Sequence, residues 1–182
     1  MPRLVIISGC SGGGKSSLLA LLRERGYAVV EEPGRRIVQA EMASGGTALP
    51  WQDMEAFLRR AIDMAVADRA KALASSAALS SRIVFFDRSL IDAAAALEEL
   101  TGQPSLAALA AQHPYNRTVF MTPPWPEIFV SDAERRHDMA SAIHEYERLL
   151  RAYASLGYET TILPKTSISA RADFILSALG DE

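Results

Sequence analysis

Short, continuous apolar runs alternate along the chain with segments in which apolar residues recur every three or four positions. The runs are typical of strands buried on both faces, and they include LVII from Leu4 and IVFF before Asp87. The periodic segments, such as KSSLLALLRERG from Lys15, predict helices with one apolar face. Strands that alternate with helices predict an α/β fold in which a parallel sheet carries helices on both faces.

The pattern sets the expected boundaries of the elements along one domain that spans residues 1–182. Strands are predicted at residues 4–7, 27–32, 82–89, 117–124 and 158–164. Helices are predicted at residues 15–26, 35–43, 51–76, 90–102, 105–113, 138–157 and 169–180. Pro33 and Gly34 are expected to turn the chain between the second strand and the second helix.

A glycine run lies between the first strand and the first helix, in the frame Gly9, four residues, Gly14, Lys15, Ser16. A flexible linker would not be expected to have a buried strand and a helix on either side. The frame instead matches the phosphate-binding loop, or P-loop, whose backbone N–H groups surround a polyphosphate while a lysine binds the outer phosphates. The residues predicted to bind the nucleotide here are Gly9, Ser11, Gly12, Gly13, Gly14, Lys15, Ser16 and Ser17.

Asp87 and Arg88 follow the third strand, at the sheet edge where ligands of open parallel sheets bind. Together with the Ser16 hydroxyl, the Asp87 carboxylate is predicted to hold Mg²⁺. Arg88 occupies the position at which hydrolytic ATPases typically carry a water-activating glutamate, which favours transfer to a bound acceptor. The alternative is an Asp–Arg pair that only caps the next helix.

Glu32 lies at the end of the second strand, immediately before Pro33. A carboxylate at this edge can accept a proton from an acceptor hydroxyl, so Glu32 is the predicted general base. Arg35 and Arg36 follow it and could bind an anionic acceptor. The alternative is a solvated turn with surface ion pairs.

Arg135 and Arg136 lie between a proline-rich stretch and a long helix, in a segment predicted to be a lid at about residues 123–138. A lid arginine can neutralise charge that develops during phosphoryl transfer. The alternative is a basic helix start, which the helix dipole disfavours.

Composition excludes several classes of protein. The formal net charge of -3 argues against bulk nucleic-acid binding. No apolar run approaches the roughly 20 residues that a membrane span needs. Cys10 is the single cysteine, so an internal disulfide is impossible, which fits a reducing cytoplasm. We therefore expect a cytoplasmic protein without a membrane span.

These motifs, with PPWPEIFVSDAERR and GYETTILPK, resemble a P-loop family that includes the kinase domain of NadR-type ribosylnicotinamide kinases. The EEP and DRS elements are also similar to those of deoxynucleoside and thymidylate kinases. The resemblance implies a three-layer P-loop fold with strand order 2-3-1-4-5. It also implies that Glu32 is a catalytic base or substrate ligand, that Arg88 contacts the acceptor, and that Lys165 lies near the adenine. No residue identifies a nicotinamide site, so the riboside substrate is not carried over.

Three functions are compatible with the sequence. The first is a kinase that uses ATP and Mg²⁺ to phosphorylate a hydroxyl or phosphate of a nucleoside-like or other small acceptor. The second is a slowly hydrolysing nucleotide switch that acts through a partner. It would recognise guanine, if at all, without an N-K-x-D motif, because Asn116 is followed by Arg117. The third is an inactive phosphate-binding relic.

Overall fold

Strands and helices alternate along the residues that the computed structural model describes, which are 2–75, 81–128 and 139–180. The strands are β1 Arg3–Gly9, β2 Ala28–Val30, β3 Ile83–Asp87, β4 Thr118–Thr122 and β5 Glu159–Ile162. The helices are α1 Lys15–Glu24, α2 Pro33–Ser44, α3 Met54–Ser75, α4 Leu90–Thr101, α5 Leu106–Gln112, α6 Met139–Ser155 and α7 Ile168–Leu179, with a short 3-10 helix at Pro126–Ile128.

The five strands form one parallel sheet in the order β2-β3-β1-β4-β5, which confirms the predicted fold class and strand order. Ile7 of β1 is in register with Asp87 of β3, and Gly9 of β1 is in register with Thr122 of β4. The carboxyl ends of the three central strands therefore meet at one edge, where a ligand of a parallel sheet would bind.

Helices cover both faces of the sheet because successive side chains of a strand point in opposite directions. Val5 and Ile7 of β1 pack into an apolar cluster with α1 and α7. Ile6, between them, packs into a second cluster with α3, α4 and α6. β1 is thus buried on both faces, as its uninterrupted apolar sequence predicts.

The second strand and second helix differ from the predicted boundaries. β2 ends at Val30, so Glu31 and Glu32 lie beyond it rather than inside it. The predicted turn at Pro33 and Gly34 is wrong, because α2 begins at Pro33 with Glu32 as its N-cap residue. Proline suits the first helical position, where its fixed φ is already helical and no N–H is required.

No helix in the described ranges is both long and apolar enough to cross a membrane.

Candidate active site

The P-loop rests against the end of β4. The N–H of Cys10 donates to the Thr122 carbonyl at 2.8 Å. Gly9 has φ +115°, and a Cβ there would lie 2.4 Å from the Thr122 carbonyl oxygen and 2.5 Å from its nitrogen. Only glycine fits this position, so the close approach of the backbones fixes where the loop leaves the sheet. Gly14, with φ +79°, is the N-cap residue of α1.

Lys15 is buried, and its Nζ donates to the Cys10 carbonyl across the loop at 3.2 Å. Burial and then the nearby charge of Arg88 lower the pKa of Lys15, and surrounding carboxylates only partly oppose both effects. The ammonium thus lies against the loop backbone, beside the position at which the loop is predicted to hold phosphate oxygens.

The other residues of the predicted loop differ in exposure. Ser11 lines the cavity beside Lys15, and Gly13 is buried. Ser16 and Ser17 lie in the first turn of α1 with exposed side chains. The loop that connects β5 to α7 carries Lys165, also exposed.

Arg88 lies at the centre of a group of carboxylates. Its guanidinium contacts Glu145 through two nitrogens, at 3.1 and 3.2 Å, and also contacts Glu32 at 3.3 Å and Asp92 at 3.4 Å. Burial alone would lower the pKa of Arg88, but these carboxylates outweigh it and hold the pKa well above its ordinary value. Burial alone would raise the pKa of Glu145, but Arg88, with smaller contributions from Lys15 and Arg148, lowers the pKa of that carboxyl.

The backbone at Arg88 is also unusual, because its φ of +63° lies in the left-handed region. Among the described residues other than glycine, no other has a positive φ. The Arg88 N–H donates to the Ile7 carbonyl at 3.0 Å, which ties this conformation to β1. A non-glycine residue in the left-handed region is typical of functional sites, where the surrounding structure compensates for local strain.

Asp92 was not predicted from the sequence, yet it accepts several hydrogen bonds at the base of the site. Its donors include the Tyr153 hydroxyl at 2.6 Å, the Ser89 N–H at 3.0 Å and the Ser8 hydroxyl. Ser89 and Asp92 form the capping box of α4, so the expected alternative of an Asp87–Arg88 cap does not describe this helix. The spacing Ser-x-x-Asp before an apolar run was the signal that could have identified Asp92.

Glu32 and Glu31 have different ion-pair partners, although both line the cavity of about 280 Å³ that contains Ser16 and Asp87. Glu31 forms an exposed ion pair with Arg23 at 3.2 Å. Glu32 instead contacts Arg88 and lines the cavity that also contains Lys15. The second predicted acceptor cation, Arg36, is paired with Asp68.

A cavity of about 870 Å³ begins at Lys15 and Glu32 and continues between α2, α3, α4 and α6. This volume is in the range of sites for organic ligands. Arg88 and Glu145 also line it, and α6 was not expected to contribute to the site. Glu145 lies in the middle of an amphipathic helix, where nothing in the local pattern separates it from solvated glutamates.

Ser16 and Asp87 line a smaller cavity of about 280 Å³ together with Glu32. Nowhere in the described ranges do three or more His, Cys, Asp or Glu side chains form a metal-binding group. A hydroxyl and a carboxylate nonetheless fit Mg²⁺, which binds few protein oxygens and completes its coordination with phosphate and water.

Arg171 of α7 is a further residue that the sequence analysis missed. It is 1% exposed, and its Nη2 donates to the Gly13 carbonyl at 3.0 Å. Its Cζ lies 5.7 Å from the centre of the Trp125 ring. Burial lowers the pKa of Arg171, and no described carboxylate forms an ion pair with it. Arg171 lies on the buried face of α7 with Ala172, Ile175 and Leu179, and its spacing of four residues from Ile175 was the signal that could have marked it.

The predicted lid arginines, Arg135 and Arg136, lie outside the described residues. Of the segment 123–138, residues 123–128 are described, and they include Trp125 beside Arg171.

Comparison with known proteins supports the fold. A family model described as an AAA domain matches residues 4–171. No curated protein sequence matches the chain. Among solved structures, NadR protein in complex with NR superposes with a TM-score of 0.68 at 20% identity, over 100% of this chain and 52% of that one.

Two kinases align over nearly their whole length. Deoxyadenosine kinase from M. mycoides with bound dATP gives a TM-score of 0.57 at 13% identity, over 100% of both chains. Thymidylate kinase from Ehrlichia chaffeensis gives 0.59 at 16% identity, over 98% of this chain and 100% of that one. The predicted resemblance to P-loop kinases is thus confirmed at the level of the fold.

Proposed function

The chain belongs to this family of AAA domains, and we propose that it is a kinase that transfers the γ-phosphoryl group of ATP to a small acceptor. The observation that carries the proposal is the shared cavity, which places the P-loop lysine, Lys15, beside Glu32 and Arg88. A phosphate-binding loop next to a half-open cavity of organic-ligand size suits transfer between two bound molecules.

Each residue has a defined part in the proposed reaction. Lys15 binds the outer phosphates and neutralises charge as the γ-phosphoryl group moves. Glu32 accepts the proton of the attacking hydroxyl, and its contact with Arg88 at 3.3 Å fixes its orientation. Ser16 and Asp87 would hold Mg²⁺, which when bound to the nucleotide neutralises phosphate charge. Arg135 and Arg136 remain candidates for closing the site.

The proposal is tested with ATP labelled in the γ-phosphate and a panel of nucleosides, nucleoside monophosphates and small alcohols. We expect transfer to at least one acceptor, and Lys15→Ala should reduce it by about 10²-fold or more. Exposed Lys71→Ala, outside the site, is the matched control and should keep full activity. Tight ATP binding without transfer to any acceptor would contradict the kinase and favour the nucleotide switch.

A further inference from the structure

At the end of the cavity near Lys15, carboxylates already balance the positive charge of Arg88. Arg88 is surrounded by Glu32, Asp92 and Glu145 at 3.1 to 3.4 Å. An acceptor that reaches the P-loop must therefore pass close to carboxylates. A phosphate monoester would bring up to two further negative charges to this end, whereas an uncharged hydroxyl would bring none.

The far rim of the same cavity is also balanced in charge. Arg148 donates to Glu99 at 2.7 Å, and His144 contacts the same glutamate at 3.3 Å. Among the described residues that line the cavity, four carboxylates accompany four lysine or arginine side chains. When Lys15 binds the nucleotide, the remaining cations do not exceed the carboxylates, so the lining does not favour an anionic acceptor.

Between these two ends the wall is apolar. It is built from three helices and includes Val38, Met54, Phe57, Leu58, Ala93 and Ala96. None of the described lining residues is asparagine, glutamine, threonine, tyrosine or tryptophan. The wall thus lacks the side-chain amides that bind base edges by paired hydrogen bonds, and Phe57 is its one phenyl ring.

We infer that the acceptor is an uncharged alcohol with an apolar body, rather than a phosphate ester or a nucleoside. This inference rests on the proposed kinase function. The alcohol oxygen attacks the γ-phosphorus and forms the new P–O bond while the bond from that phosphorus to the β,γ-bridging oxygen breaks. ADP leaves, and the hydroxyl proton passes to Glu32. The apolar body lies along the wall of α2, α3 and α4 and is removed from water there.

The test compares four probes that separate charge from shape: geraniol, geranyl phosphate, thymidine and thymidine monophosphate. For each probe, affinity is measured by titration in the presence of a non-hydrolysable ATP analogue, and transfer is measured with labelled ATP. We expect geraniol to bind and to be phosphorylated at least about tenfold more efficiently than the other three probes. A factor of about ten is the lower end of the discrimination between substrates that contacts in a pocket provide. Equal or weaker use of geraniol overturns the inference.

Two variants, Ala96→Asp and Leu100→Asp, place a carboxylate on the apolar wall. Ala96 lies within this wall. Leu100 lies at its rim, where the side chain is 52% exposed and a carboxylate would stay in contact with water. Both should weaken geraniol binding, with the larger loss for Ala96→Asp, since burying an unpaired charge is unfavourable. The matched control is Ala108→Asp, an exposed position on α5 outside the cavity, which should change nothing.

The two proposals fail in different ways. If geraniol binds, Leu100→Asp weakens it and no probe accepts phosphate, the kinase function is wrong, the alcohol is not an acceptor, and only its binding to the apolar wall stands. If thymidine or thymidine monophosphate is phosphorylated in preference to geraniol, the kinase function stands and the acceptor class is overturned.

Discussion

The guanidinium of Arg171 donates to the carbonyl of Gly13 at 3.0 Å, so the last helix of the fold supports the P-loop from behind. The contact joins residues 158 positions apart in the chain. Since Arg171 is buried without a described carboxylate partner, it adds a positive charge next to the loop that is predicted to bind a polyphosphate. A buried cation is costly unless something compensates its charge, and a bound nucleotide would do so.

Arg171→Met should weaken ATP binding by about tenfold or more, because it removes a charged hydrogen bond that holds the loop. The stability of the nucleotide-free protein should fall little or even rise, since an apolar side chain replaces an unpaired buried charge. Titration with ATP and thermal unfolding measure the two effects. Arg25→Met is the control, because Arg25 pairs with the exposed Asp173 at 2.6 Å. Unchanged ATP affinity in Arg171→Met would show that the contact is only structural.

Features that depend on residues close together in the sequence were predicted well, and features that depend on tertiary packing were not. β1, the glycine frame and α1 are local patterns, so the order strand, loop, helix and the start of α1 at Lys15 were predictable. Arg171, Glu145 and Asp92 reach the site through tertiary packing of α7, α6 and α4. Glu145 has sequence neighbours like those of any amphipathic helix, so no short-range pattern indicates it. Asp92 has a local signal in its capping box with Ser89, and Arg171 lies at helical spacing from Ile175, but neither pattern shows what the side chain contacts. The strand order followed from a resemblance to known proteins rather than from the pattern itself.

At the junction of β2 and α2, the sequence predicted the local conformation wrongly. Pro33 was predicted to make a turn, but it is equally suited to the first position of a helix, and the sequence alone did not separate the two. The consequence is local, because Glu32 still faces the cavity.

Glu32→Gln should lower phosphoryl transfer by about 10²- to 10⁴-fold, because glutamine cannot accept the hydroxyl proton. ATP affinity should change far less, since Glu32 is not part of the P-loop. Glu31→Gln is a matched control on the adjacent residue, whose carboxylate pairs with Arg23 at the surface. Steady-state transfer rates and ATP titrations measure the comparison. Equal losses in the two variants would remove Glu32 from the catalytic role.

Asp92→Asn should destabilise the protein by about 3 kcal/mol or more, the cost of removing one partner from a buried charged group. Arg88 would keep its charge while the amide offers only one acceptor oxygen to the surrounding donors. Tyr153→Phe, which deletes one donor to the same carboxylate, should cost about 1 kcal/mol. Urea unfolding measures both variants. The control is Glu99→Gln, which weakens the half-exposed ion pair of Glu99 with Arg148. We expect it to lower the free energy of unfolding by less than about 1 kcal/mol. A loss in Asp92→Asn no larger than in this control would contradict the network.

The lowered pKa of Lys15 predicts that pH affects ATP binding and stability in opposite directions. Only the ammonium form binds phosphate well, so ATP affinity should fall as pH rises through the lowered pKa, before an ordinary lysine titrates near about 10.4. Without nucleotide, the unfolded chain binds the proton more tightly than the folded chain does. The contribution of Lys15 to stability should therefore rise with pH between the lowered pKa and the ordinary value.

Titrations with ATP and urea unfolding from neutral to alkaline pH measure this pair of effects. Lys15→Arg is the control, because its guanidinium stays charged throughout and its ATP affinity should not vary with pH in this window. Subtracting the pH dependence of this variant isolates the contribution of Lys15 from that of other groups. If wild-type ATP affinity stays constant up to the pH at which an ordinary lysine titrates, burial and Arg88 do not depress the pKa of Lys15. Burying the Lys15 ammonium beside the loop would then have no electrostatic cost.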